Sequence, residues 1–205
     1  MSRDDVAPAI ATLRAGGLAI VPTDTVYGLA ADGENEVAAR RLYAAKGRAS
    51  IQPTALVLVS VDELLGRVPE LPGAALRVAR ALLPGPFTLV LPNPGRRYAW
   101  LNAERPDAIG VRVPALDGPG REVLAALGAL VATSANLPGG VDPRRVDEIP
   151  SELVAAVGAV VDGGELPGTP STVVDVTGAE PRVLREGAVP GAEALERAAD
   201  ALTDR

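Results

Sequence analysis

The chain has 205 residues, no cysteine, no histidine and a net charge of −6, which excludes thiol and imidazole catalysis, a disulfide framework and the commonest zinc ligands. Hydrophobic residues make up 47 % and aromatics only 2 %, so Val, Leu, Ile and Ala must fill the core, and neither a base-stacking platform nor a broad nucleic-acid footprint is expected. This length suits one compact domain over 1–205, and the acidic start Met1-Ser2-Arg3-Asp4-Asp5 and the lack of any long apolar run point to a cytoplasmic protein with no membrane partner.

Short β-like runs alternate with Ala/Leu-rich helical segments. Ala9 to Ala15 reads as a helix ended by Gly16-Gly17, and Leu18 to Val21 as a buried strand. A hydroxyl-rich turn follows, Pro22-Thr23-Asp24-Thr25-Val26-Tyr27-Gly28-Leu29. Asn35 can cap a helix running to about Lys46, with Ala38, Leu42 and Ala45 on one face. Ala55 to Val59 reads as a strand, Asp62 opens a helical stretch, and Ala74 to Leu82 is a helix stopped by Pro84-Gly85-Pro86. Strands are expected at Phe87 to Leu91, Ile109 to Val113, Leu130 to Thr133, Ala159 to Val161, Thr172 to Val176 and Arg182 to Leu184. A last helix covers Glu193 to Leu202, and 92–107, 137–143 and 163–170 read as loops. The alternation predicts an α/β fold, and its irregular spacing predicts a twisted sheet of mixed parallel and antiparallel strands with flanking helices around a central cleft.

With no thiol or imidazole, chemistry must rest on carboxylates, hydroxyls, Lys, Arg, backbone amides or a hard metal. Lys46-Gly47-Arg48 fits two solvated charges at a helix C-terminus, or a phosphate clamp of a point charge and a planar fork. Ala132-Thr133-Ser134-Ala135-Asn136 fits a strand turning into a capped helix, or small residues that let backbone N–H groups approach a phosphate. Arg112 interrupts the apolar run Ile109 to Val113 and needs an anion, either a structural partner or a substrate carboxylate. Ser171-Thr172 opens one strand and Arg185 closes the next. No phosphate-binding P-loop or dinucleotide fingerprint is present.

Together, in order and spacing, these segments and Pro84-Gly85-Pro86-Phe87-Thr88 resemble the threonylcarbamoyl-AMP synthase family, in its short form, from about Ala15 to Gly187. The resemblance implies synthesis of threonylcarbamoyl-AMP and diphosphate from L-threonine, bicarbonate or CO2, and ATP with Mg2+. It implies Thr25, Arg112, Ala132 and Ser171 around threonine, with Arg112 pairing bidentately with the carboxylate. Arg48, Gln52, Ala108, Ser134, Asp142 and Arg185 would contact ATP, and Lys46, Arg48, Ser134 and Asn136 would form the catalytic tetrad, with no resident metal site. Two positions depart from the pattern: Asp142 stands where many relatives carry a neutral hydroxyl, and Val57 where some carry a His. The product would pass to a separate transferase acting on tRNA. Two alternatives are a carbamoyl-adenylate-forming domain of the hydrogenase-maturation kind and a module of the same fold that binds double-stranded RNA or ribosomal precursors. The acidic charge and scarce aromatics count against RNA.

Overall fold

The computed structural model describes residues 5–47 and 54–203. Among the described residues nine strands form one sheet in the order β7-β1-β2-β6-β3-β5-β4-β8-β9. They are β1 (Ala19–Pro22), β2 (Tyr27–Asp32), β3 (Ala55–Leu58), β4 (Phe87–Pro92), β5 (Ala108–Arg112), β6 (Ala129–Ser134), β7 (Ala159–Val160), β8 (Thr172–Asp175) and β9 (Arg182–Arg185). The sheet is mixed: β1–β7, β3–β5 and β4–β8 pair in parallel, and the other neighbours are antiparallel.

Seven α-helices among the described residues flank it: α1 (Val6–Arg14), α2 (Glu36–Ala45), α3 (Val61–Arg67), α4 (Gly73–Leu82), α5 (Gly118–Leu127), α6 (Ser151–Ala156) and α7 (Gly191–Thr203). Asn35 caps α2 as expected, its Oδ1 accepting the Ala38 N–H at 3.0 Å. The expected strands and helices all form, with ends shifted by a few residues, but one strand and two α-helices are additions, as are single 3-10 turns at Ala99–Leu101 and Val146–Glu148. The run read as a turn through Leu29 bends only at Thr23–Val26; from Tyr27 it is strand β2, folded back on β1. Helix α5 begins with Gly118-Pro119-Gly120, which reads as a breaker. Yet proline suits a first helical turn, and a Cβ on Gly120 would lie 2.4 Å from the Pro22 carbonyl oxygen, so only glycine lets α5 pack this close. Helix α6 is a short piece of six residues. Conversely, no helix follows Asn136; the chain enters a loop.

Strand alternation divides the sheet into two faces. Tyr27, Leu29, Leu56, Leu58, Phe87, Leu89, Ile109, Val111 and Val131 pack against α2, α3, α4 and α7 in the main core. On the opposite face, Ala19, Val21, Ala30, Val57 and Leu130 form a second core under α1 and α5. That pair of helices covers only part of the face. Beyond it, Gly28, Ala55, Val57, Val90, Gly110, Ala132 and Val173 are left as the floor of a cavity. Among the described residues no helix is long and apolar enough to cross a membrane.

Candidate functional site

The cavity holds about 360 Å3. Its depth follows from register: Ala30, Ala132, Ala55 and Gly110 lie opposite one another across β2, β6, β3 and β5, a row with almost no side-chain height. Polar groups stand on either side of that row.

At one end are Thr25, Arg112, Ser171 and Arg185. Thr23 organises the turn that carries Thr25: its hydroxyl donates to the Val26 carbonyl at 2.7 Å and accepts the N–H groups of Thr25 and Val26 at 3.2 Å. Because that proton is committed, the Thr25 hydroxyl is the donor in the 3.1 Å contact with Thr23. Arg112 Nη2 then donates to Thr25 Oγ1 at 3.1 Å and to Asp24 Oδ1 at 2.5 Å. Arg112 thus has a structural partner, Asp24, which the sequence reading passed over although it stands inside the most distinctive motif. Burial pushes the Arg112 pKa below the usual arginine value; Asp24 opposes that shift and the nearby Arg185 adds to it. Across β4 and β8, the Thr88 and Ser171 hydroxyls lie 2.8 Å apart. Arg185 Nη2 donates to the Ser171 carbonyl at 2.7 Å and to its hydroxyl at 3.1 Å.

At the other end, the Ser134 hydroxyl donates to Asn136 Oδ1 at 2.7 Å, and the Asn136 amide donates to the Gly140 carbonyl at 2.7 Å and to Asp142 Oδ1 at 3.1 Å. Lys46 is the surprise. It sits at the C-terminal end of α2 but is 0 % exposed, so it is no solvated helix-end charge. Its Nζ donates to the Ser134 carbonyl at 2.6 Å and to Asn136 Oδ1 at 2.8 Å. A buried ammonium needs such acceptors, and here they come from the end of β6 and the loop after it.

The structure therefore gathers Thr25, Arg112, Ala132, Ser134, Asp142, Ser171 and Arg185 around one cavity. Lys46 and Asn136 lie directly beneath Ser134. Ala108 is buried at the start of β5, outside the lining; Asn102, Glu104 and Arg105 line that side instead. Arg48 and Gln52 lie outside the described residues. Among the sequence positions not singled out, Thr88 could have been found from Pro84-Gly85-Pro86-Phe87-Thr88, whereas Glu104 and Arg105 sit in a loop with no local signal.

Fold and site together define an α/β protein whose sheet face holds a cleft with a floor of small residues and a lining of arginines and hydroxyls. Residues 11–187 match the family model Sua5_yciO_yrdC, described as "Telomere recombination", and the chain belongs to that family. The threonylcarbamoyl-AMP synthase of Pyrococcus abyssi is 33 % identical over 179 residues, 87 % of this chain and 52 % of that protein. The threonylcarbamoyl-AMP synthase of Stenotrophomonas maltophilia is 36 % identical over 157 residues, 76 % of this chain and 84 % of that one. In three dimensions the chain superposes on Pyrococcus abyssi Sua5 complexed with L-threonine with a TM-score of 0.84 at 32 % identity, covering 94 % of this chain and 56 % of that one. It superposes on Escherichia coli YciO with a TM-score of 0.82 at 28 % identity, over 95 % and 94 % of the two chains. The chain thus spans little more than half of the Pyrococcus protein and most of the other two.

Proposed function

We propose that this chain is a nucleotidyltransferase that makes L-threonylcarbamoyladenylate and diphosphate from L-threonine, bicarbonate or CO2, and ATP. The observation that carries the reading is the floor of small residues with arginines and hydroxyls at one end and the Lys46–Asn136–Ser134 network at the other, in a chain similar to proteins named for this product.

The chemistry suits a chain without His or Cys. The amine of threonine captures CO2 as a carbamate with no protein nucleophile, and a carbamate oxygen attacks the α-phosphorus of ATP while diphosphate leaves. Such a transfer needs placement and charge neutralisation more than covalent catalysis. Thr25, Arg112 and Ser171 hold threonine over Ala132. Arg185 stands beside them, where carbamate and α-phosphate meet. Ser134 faces the phosphates, and Lys46 places its charge under that end of the floor by holding Ser134 and Asn136. Arg48 and Gln52 are assigned to the nucleotide through the family resemblance alone, and so is Ala108, whose backbone would make the contact.

Among the described residues no three His, Cys, Asp or Glu side chains gather to hold a metal by themselves. Magnesium entering with ATP takes most of its ligands from phosphates and water, with one or two carboxylates. Asp142, on the wall beside Ser134 and Asn136, fits that part, and the ion would supply charge neutralisation on the phosphates. The product then goes, in the cytoplasm, to a separate transferase that modifies tRNA. Binding of double-stranded RNA receives no support from the relatives.

The test is to incubate the protein with ATP, Mg2+, bicarbonate and L-threonine and follow diphosphate. Release that requires both threonine and bicarbonate is the expected result; release indifferent to threonine defeats the reading.

A further inference from the structure

Arg112 stands at the cavity with both Nη2 hydrogens engaged, one by Asp24 and one by Thr25. Its Nε–H is buried and has no partner among the described residues. A guanidinium grips a carboxylate at two points either through Nε and Nη2 or through Nη1 and Nη2. Both forks need Nη2, so the bidentate pairing implied by the family resemblance is closed until one Nη2 hydrogen is released.

The two holders are unequal. Asp24 is charged, its side chain is 8 % exposed, and its second oxygen is tied to the Ala115 N–H at 3.0 Å. Thr25 is neutral, makes the longer contact, and directs its own proton to Thr23. We propose that Asp24 is a positioning residue that acts through Arg112. It clamps one Nη2 hydrogen, so that when Thr25 is exchanged for the carboxylate of an amino-acid substrate the other Nη2 hydrogen is freed and the buried, unpartnered Nε–H beside it is opened to the same carboxylate. This rests on the threonine-binding reading above.

Charge and orientation make opposite predictions for Asp24, which keeps the two apart. If Asp24 acted only as a negative charge beside Arg112 and Arg185, its removal would tighten the binding of every anion. If it orients the guanidinium, removal weakens threonine binding in spite of the added net positive charge. Calorimetric titration of Asp24→Asn is expected to show L-threonine affinity lowered about tenfold or more, with ATP affinity within about twofold of wild type. Threonine binding that is unchanged or tighter overturns the proposal. In an Arg112→Lys background, Asp24→Asn should add little further loss, because a residue acting through Arg112 cannot act twice; full additivity overturns it. A second measurement needs no folded variant. In 15N-arginine-labelled wild-type protein, the Arg112 Nε–H resonance should shift with L-threonine and stay put with ATP. If wild-type protein binds threonine and that resonance does not move, the positioning role falls and the functional reading stands. If wild-type protein binds no threonine, the functional reading falls and takes this one with it.

Discussion

At the scale of single residues, burial decides what each charge can do. Lys46 is enclosed, and its ammonium satisfies a backbone carbonyl and the Asn136 side chain. Lys46→Met would take this donor from the part-buried Ser134 carbonyl and from Asn136 Oδ1, which keeps the Ser134 hydroxyl, and would lose the charge-assisted pair of hydrogen bonds. It should therefore lower both the melting temperature and the turnover, the latter by about tenfold or more. Wild-type turnover in a folded Lys46→Met protein would remove Lys46 from the machinery. Ala132 is a floor residue flanked by Ala30 and Ala55. If the threonine methyl lies there, one methyl group in an apolar pocket is worth roughly 1–3 kcal/mol, and serine should react about 10- to 200-fold less efficiently. Ala132→Val then penalises threonine more than serine and narrows the ratio of kcat/KM values. Equal use of both amino acids by wild type would dismiss the methyl pocket, and an unchanged ratio in the variant would take Ala132 out of it.

Elements impose their own constraints. Helix α5 approaches β1 so closely that Gly120 has no room for a Cβ against Pro22. Gly120→Ala should cost about 1–3 kcal/mol through overpacking, read as a lower urea midpoint with an unchanged slope. Because Pro22 leads into the Thr23–Val26 turn, threonine affinity should fall with it, whereas a variant as stable as wild type would refute the contact. At the far edge, Asp175 ends β8 at 1 % exposure, where burial alone would raise its pKa. The Thr177 hydroxyl and N–H, at 2.6 Å and 2.9 Å, with Arg105 and Arg182 near its other oxygen, hold it below the usual carboxylate value. A group depressed in the folded state contributes stability that is present above its unfolded pKa of about 3.9 and lost as pH falls through the folded value. Wild-type stability should hence decline below about pH 4, and Asp175→Asn should be less stable at pH 7 yet flatter in acid. An identical acid slope in the variant would remove Asp175 from that dependence.

For the molecule as a whole, the cavity links folding to ligand. A ligand that binds only the folded state at a hundred times its Kd adds about 2.7 kcal/mol to stability. ATP and L-threonine should accordingly raise the melting temperature, and together by more than either alone if they meet over Ala132. No shift with either ligand would argue that the cavity is not their site. Duplex RNA should bind weakly, with little dependence on salt, in keeping with the net charge of −6.

Some of this was legible in the amino-acid order. Apolar periodicity marked most strands and helices, because burial of one face is a local pattern. The segments from Pro22 to Leu29, Lys46 to Arg48, Pro84 to Thr88, Ala132 to Asn136 and Ser171 to Asp175 pointed to the family through their joint order and spacing, although each alone fits an ordinary turn, cap or strand end. Three things depended on the tertiary structure. Gly120 is required in the first turn of α5 only because β1 passes so close that a Cβ would meet the Pro22 carbonyl oxygen. Lys46 is enclosed only because β6 ends beside α2, a meeting of residues 88 and 90 positions apart. And whether Arg112 faced a substrate or a structural anion could not be read along β5, since Asp24 reaches it across 88 residues. Local order dictates which face of an element is apolar; which charges meet is settled only when the sheet assembles, because a hydrogen bond depends on distance in space and not along the chain.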